Sequence, residues 1–133
     1  MNTNCPVITL DNGITIANWS SPHSFTFTTG EVLPACEPDR AKSMSLDIDE
    51  NIVNNEQWED IEMSTSVPEA VYEDLQKLQY NDEIDIILVP FMVLDALKNS
   101  YSTLYGSLST NKCRVIRVSD RVTKEIYPDK FCI

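Results

Sequence analysis

At 133 residues the chain is long enough for one domain with its own apolar core, and 42% apolar with 23% charged residues is the balance of a globular protein in water. A net charge of −11 argues against direct contact with nucleic acid or an anionic membrane, because such a surface repels both. The longest apolar run, "IILVPFMVL" at 86–94, is about half of the roughly 20 residues a membrane span needs and is interrupted by Pro90.

The opening "MNTNCPVITL" lacks the basic start and apolar stretch of a secretion signal, so a cytosolic protein is expected. Cys5, Cys36, Cys113 and Cys132 lie far apart with no C-x-x-C pair, the pattern of reduced and mostly buried thiols and not of a disulfide framework or zinc site. No metal or cofactor is expected.

Taken in chain order, "VITL" and "ITIANW" flank Asp11-Asn12-Gly13, and both are rich in β-branched residues. A hairpin over 7–19 follows, with Asn-Gly supplying the positive φ of a tight turn. "HSFTFT" alternates Phe25 and Phe27 against Ser24, Thr26 and Thr28, and Thr29-Gly30 turns it into "EVLPA", a second hairpin. "EPDRAKSMS" reads as a short helical turn with Pro38 near its start.

From Leu46 to Met63 the pattern alternates weakly. Leu46, Ile48, Ile52 and Val53 are expected to face a core while the acids between them face water, with "DENIVNNEQ" as a loop or hairpin tip. Ser66 and Glu69 form S-x-x-E, the capping-box signature of a helix over about 67–79, with Val71, Leu75 and Leu78 as its buried stripe. "IDIILV" reads as a strand buried on both faces, Pro90 then opens a short helix "FMVLDALKN", and "SYSTLYGSLSTN" is a polar loop. "CRVIRVSD" is a basic strand in which Val115 and Val118 are buried and Arg114 and Arg117 exposed; the terminal "DKFCI" is expected to be buried through Phe131 and Ile133. The fold class is α+β: N-terminal β-hairpins (1–36), an acidic strand or loop segment (37–65) and a helix–strand–helix–strand half with a basic C-terminal strand (66–133), in one domain spanning 1–133.

Charge divides the chain more sharply than composition does. Residues 37–85 carry fifteen acids against three bases, a net of −12, whereas residues 86–133 carry four acids against seven bases, a net of +3. Two binding surfaces follow. In the first, Asp47, Asp49, Glu50, Glu56, Glu59, Asp60 and Glu62 form an acidic face that docks on a basic protein surface, with Trp58 as aromatic anchor. The competing readings are solubility for the acids and a partly buried core position for Trp58. In the second, Arg114, Arg117, Arg121 and Lys124 form an anion pocket completed by His23 or by Trp19, suited to a nucleotide-type ligand. Its competing reading is that these bases neutralise the acidic segment.

Catalysis has little to stand on. His23 is the only histidine and its serine neighbours are adjacent in sequence; G-x-S-x-G, H-E-x-x-H and the glycine-rich phosphate loops are all absent, and glycine totals three. A small hydrolase built on His23 is the third reading, behind the two binders. The plainer role for His23 is to pack at the start of strand 24–28, hydrogen-bonded to a serine or a backbone group.

"NWSSPHSFTFTTGEVLP", "IDIILVPFMVLDALKN" and "RVSDRVTKEIYPDKFCI" together resemble a family of small accessory proteins of T4-type tailed bacteriophages, the likeness being weakest over 47–63. The resemblance brings no functional residue with it. It implies the cytoplasm of an infected bacterium and, by analogy with other small acidic phage proteins, a bacterial host or defence protein as the partner, with no direct nucleic acid and no membrane. The expectation is a non-enzymatic binder acting through its acidic face, with a sponge for a nucleotide-type ligand as the alternative.

Overall fold

The computed structural model describes residues 5–54, 56–104 and 112–133. It is a mixed α+β protein, mostly strands with three helices among the described residues.

The first hairpin pairs β1 (Val7–Thr9) with β2 (Thr15–Asn18), Val7 opposite Ala17. Its turn is tighter in its demands than Asn-Gly alone suggests. Only Gly13 takes a positive φ, +87°; the Gly13 N–H donates to the Leu10 carbonyl and the Leu10 N–H to the Ile14 carbonyl, a three-residue loop closed by a glycine bulge. Asn12 instead uses its side chain, accepting from the Ile14 N–H and donating to the Pro128 carbonyl near the end of the chain. The second hairpin, β3 (Phe25–Thr26) with β4 (Val32–Leu33), repeats the same loop with Gly30 at φ +92°.

The N-terminal hairpin does not stand beside the C-terminal half; it is part of the same sheet. β2 runs parallel to β7 (Ile86–Leu88), β7 parallel to β8 (Cys113–Val118), and β9 (Ile126–Cys132) closes the far edge antiparallel to β8, giving the order β1-β2-β7-β8-β9. The alternation of strand side chains then explains the two-faced apolar run at 86–89. Ala17, Trp19, Ile87, Val89 and Cys113 face α2 (Glu69–Gln79) and α3 (Phe91–Leu104), meeting Val71, Leu75 and Leu78 of α2 and Val93, Leu94 and Leu97 of α3. Ile16, Leu88 and Ile126 face the other way, where Leu10, Phe27 and Leu33 cover them. The sheet is thus sandwiched between two helices and the small second hairpin.

Several sequence expectations change. Ser66 does not cap α2: it is still paired with Asp47 in the strand before the helix, Pro68 takes the N-cap position, and no side chain caps that end among the described residues. Helix α3 runs on to Leu104, so Ser100–Leu104 is helical where a polar loop was expected; the rest of that loop lies outside the described residues. Val118 is 43% exposed and Ile133 76% exposed, neither of them buried, whereas Phe131 is half-buried against the Ile16–Ile126 cluster. The short helix α1 (Pro38–Ser43) forms where expected, with Pro38 in its first turn. Among the described residues no helix is long and apolar enough to cross a membrane.

Candidate functional site

Three cavities run in a line across the carboxyl ends of the three parallel strands, the place where open sheets with parallel strands most often bind ligands. They are walled by the segments that follow β2 (Ser20–Phe25), β7 (Val89–Val93) and β8 (Val118–Lys124). The first, about 400 Å³, is apolar and lies between Pro22, Met44, Leu46, Ile48 and Met92; the second, about 280 Å³, shares Ser21 and Pro90 with it. The third, about 640 Å³, shares Phe25 and Ile116 with the second and brings His23, Arg121 and Lys124 together.

Two buried polar clusters hold the first of these walls in place. Asn18 is fully buried, and its side-chain amide donates to the carbonyls of Ser21 (3.2 Å), His23 (3.4 Å) and Pro34 (3.0 Å) while its oxygen accepts from the Ser21 N–H (3.0 Å). The Ser21 hydroxyl completes the turn by accepting from the His23 N–H and donating to the His23 carbonyl. One residue on, Trp19 is fully buried and donates its indole N–H to Asp74 Oδ2 at 2.8 Å. Arg40 donates its Nε to the Trp19 carbonyl and its two Nη groups to Asp74, at 2.8, 3.2 and 2.7 Å. Burial works against the Arg40 charge, but the hydrogen bonds and charge of Asp74 outweigh it and raise the guanidinium above its ordinary pKa. Burial also pushes up the nearby Cys36 thiol, with Arg40 opposing it, and that thiol donates to the Asn18 carbonyl.

The outcome for His23 differs from the expected packing. Its backbone, not its imidazole, is tied to Ser21 and Asn18. The side chain is exposed, makes no hydrogen bond among the described residues and lines the third cavity. Ser21 Oγ is engaged with the His23 backbone and not with its imidazole.

The acidic segment forms a hairpin apart from the main sheet: β5 (Asp47–Asn54) with β6 (Glu59–Ser66), the strand extending through residues expected to be a loop. At about 3.3 Å per residue its eight-residue strands span about 26 Å. The register assigns the side chains to faces, because directly opposed residues share one. Asp47 opposes Ser66, Asp49 opposes Ser64, Asn51 opposes Glu62 and Val53 opposes Asp60, so four carboxylates lie on one face. Ile52 opposes Ile61 and Glu50 opposes Met63 on the other, together with Ile48 and Glu59. The expected single acidic face is therefore divided: Glu50 and Glu59 belong to the apolar side and Glu56 to the connecting turn.

That apolar side does not face a core, contrary to expectation. Ile48, Ile52, Ile61 and Met63 are 56, 55, 51 and 64% exposed, and Val53 on the acidic face is 43% exposed; only Leu46, at the root, packs against the helix-side core. A hairpin set off from the body can present a fully amphipathic surface, and an alternating pattern reads the same whether its apolar half is covered or open. Trp58 sits in the turn, 58% exposed, its indole N–H donating to Asp60.

Of the four C-terminal bases, only Arg121 and Lys124 reach the third cavity. Arg114 is half-buried on β8 and donates to the Cys113 carbonyl, and Arg117 is exposed outside the cavity lining. Trp19 is sealed in the core and cannot stack on a ligand. Among the described residues the ion pairs are Arg40–Asp74 and Lys130–Asp129, so Arg117, Arg121 and Lys124 are not spent on neutralising the acidic segment. Sequence reasoning missed Asn18, Asp74 and the walls Pro22, Phe25 and Ile116. Recognising Ile16–Asn18, Ile86–Leu88 and Cys113–Val118 as adjacent parallel strands was the one signal that would have pointed to the segments after them.

The fold and site define a small mixed α+β protein with a trough over a parallel sheet centre and an acidic amphipathic arm. No protein-family model, no curated protein and no solved structure matches the chain.

Proposed function

We propose that the protein is a non-enzymatic binder that docks on a basic protein surface through the β5–β6 arm, the partner being a bacterial host or defence factor in the cytoplasm of an infected cell. The observation that supports this reading is the arm itself. An isolated two-stranded hairpin is marginal in water, and an apolar row of four side chains left more than half exposed gains its natural cover only from a partner. Asp47, Asp49, Asp60 and Glu62 on the opposite face favour a basic partner and speed its approach, while Trp58 at the tip offers an aromatic contact. No further strand pairs with either outer edge of this two-stranded sheet among the described residues, which leaves strand addition as a mode of docking.

The test compares the wild-type chain with two arm variants as baits in infected and uninfected bacterial lysates over a range of salt. One variant carries Asp47→Asn, Asp49→Asn, Asp60→Asn and Glu62→Gln; the other carries Ile61→Lys. The reading requires a partner with a basic contact surface that is lost from both variants and from wild type as salt rises. A partner held equally by all three baits refutes it.

A further inference from the structure

The geometry points to a second binding site, at the far end of the trough from the arm, for an organic phosphate whose phosphate sits on Arg121 and Lys124 and whose flat ring lies along Phe25 and Ile116. This goes beyond the docking arm and does not depend on it.

The cavity of about 640 Å³ is within the range of roughly 300–1,000 Å³ typical of small-molecule sites. Its lining is chemically divided. His23, Arg121 and Lys124 supply donors, Ser24 a hydroxyl, and Phe25, Ile116 and Val118 an apolar wall; no carboxylate lines it among the described residues. Neither cation is paired with an acid among the described residues. Two acids adjoin these cations in sequence: Asp120 is turned into its own loop, where Oδ1 accepts from the N–H groups of Val122 and Thr123, and Glu125, next to Lys124, is half-buried outside the cavity lining. Two cations left without counter-ions around one cavity have an anion as their natural occupant. An arginine fork beside a lysine matches the oxygens of a phosphate. The aromatic ring of Phe25, on the wall shared with the neighbouring cavity of about 280 Å³, gives a planar group something to pack on and room to extend.

Parts of the site are anchored by the fold. His23 and Ser24 follow the turn fixed by buried Asn18, and Ile116 lies in β8. Lys124 is the one non-glycine residue with a positive φ, +58°, among the described residues, held there by its N–H bond to the Asp120 carbonyl.

The experiment is an amide NMR titration of the labelled full chain with phenyl phosphate and, separately, with inorganic phosphate, to millimolar concentration. Shifts centred on 23–25, 116–118 and 119–125, with phenyl phosphate bound about tenfold more tightly than inorganic phosphate, are expected. Arg121→Ala and Lys124→Gly, both at exposed positions, should each weaken phenyl phosphate by about tenfold while leaving the rest of the spectrum unchanged. Shifts scattered over the surface, no saturable shifts, or equal affinity in both variants overturn the site; equal affinity for the two probes overturns the ring wall.

Discussion

Replacing Asp74 with alanine removes the acceptor that joins α2 to α1 and to the end of β2. Three hydrogen bonds go: two from Arg40, at 3.2 and 2.7 Å, and one from the Trp19 indole at 2.8 Å. Arg40 keeps one of its three protein acceptors, the Trp19 carbonyl, with its side chain only 10% exposed. Breaking one partner of a buried ion pair costs about 3–5 kcal/mol, and an orphaned buried N–H about 1–3 kcal/mol. The two do not add fully, because the Asp74 side chain is 19% exposed and its removal lets water reach the guanidinium. A loss of about 3–4 kcal/mol is expected from these terms together. The assay is urea unfolding followed by tryptophan fluorescence in a Trp58→Phe background, which leaves Trp19 as the only reporter. The same substitution made in an Arg40→Met background should cost about half as much, since the stranded charge is then gone. A loss under about 1 kcal/mol, or an equal loss in both backgrounds, would show that this cluster behaves as an exposed pair screened by solvent and would refute the reasoning.

Other expectations separate the arm from the body. Ile52→Ala with Ile61→Ala should lower stability by no more than about 1 kcal/mol, since the pair is exposed, whereas Leu75→Ala in the core should cost about 2–5 kcal/mol in the same denaturation assay. Lys124→Gly should raise stability by about 1 kcal/mol by releasing the left-handed backbone, a gain read as a higher thermal midpoint. Burial pushes the Cys113 thiol up to about 12, with the Arg114 charge and the Gln79 hydrogen bond opposing it. Below about pH 9 the thiol is protonated in both states; above it the unfolded chain ionises first, so the contribution is lost as pH rises from about 9 to about 12. Wild type should therefore lose stability faster than Cys113→Ala across that window, and parallel pH profiles would count against it. With a thiol-reactive dye at pH 8, Cys132 should react quickly, and Cys5, Cys36 and Cys113 only as the chain opens.

The parts of the fold that were legible in the sequence are those set by local chemistry. Gly13 and Gly30 mark turns because only glycine accepts a positive φ without cost, and Val71, Leu75 and Leu78 mark a helix because their spacing allows one buried stripe. What stayed hidden depends on which strand lies beside which. "ITIANW" reads as half of a hairpin, and nothing local says that its other edge is taken by Ile86–Leu88, more than sixty residues on. Once that pairing is made, Asn18 is buried between strands and must find partners within reach. It finds them in the carbonyls of Ser21, His23 and Pro34, and so shapes the turn that carries His23 to the cavity. The lone histidine drew attention as a candidate for chemistry, yet the residue that decides where it goes is an asparagine whose sequence context is that of an ordinary strand. The arm shows the converse: its alternation was visible, but alternation states only that two faces differ. Whether Ile52 and Ile61 meet a core, water or another protein is decided by what folds over them, and among the described residues nothing of this chain does.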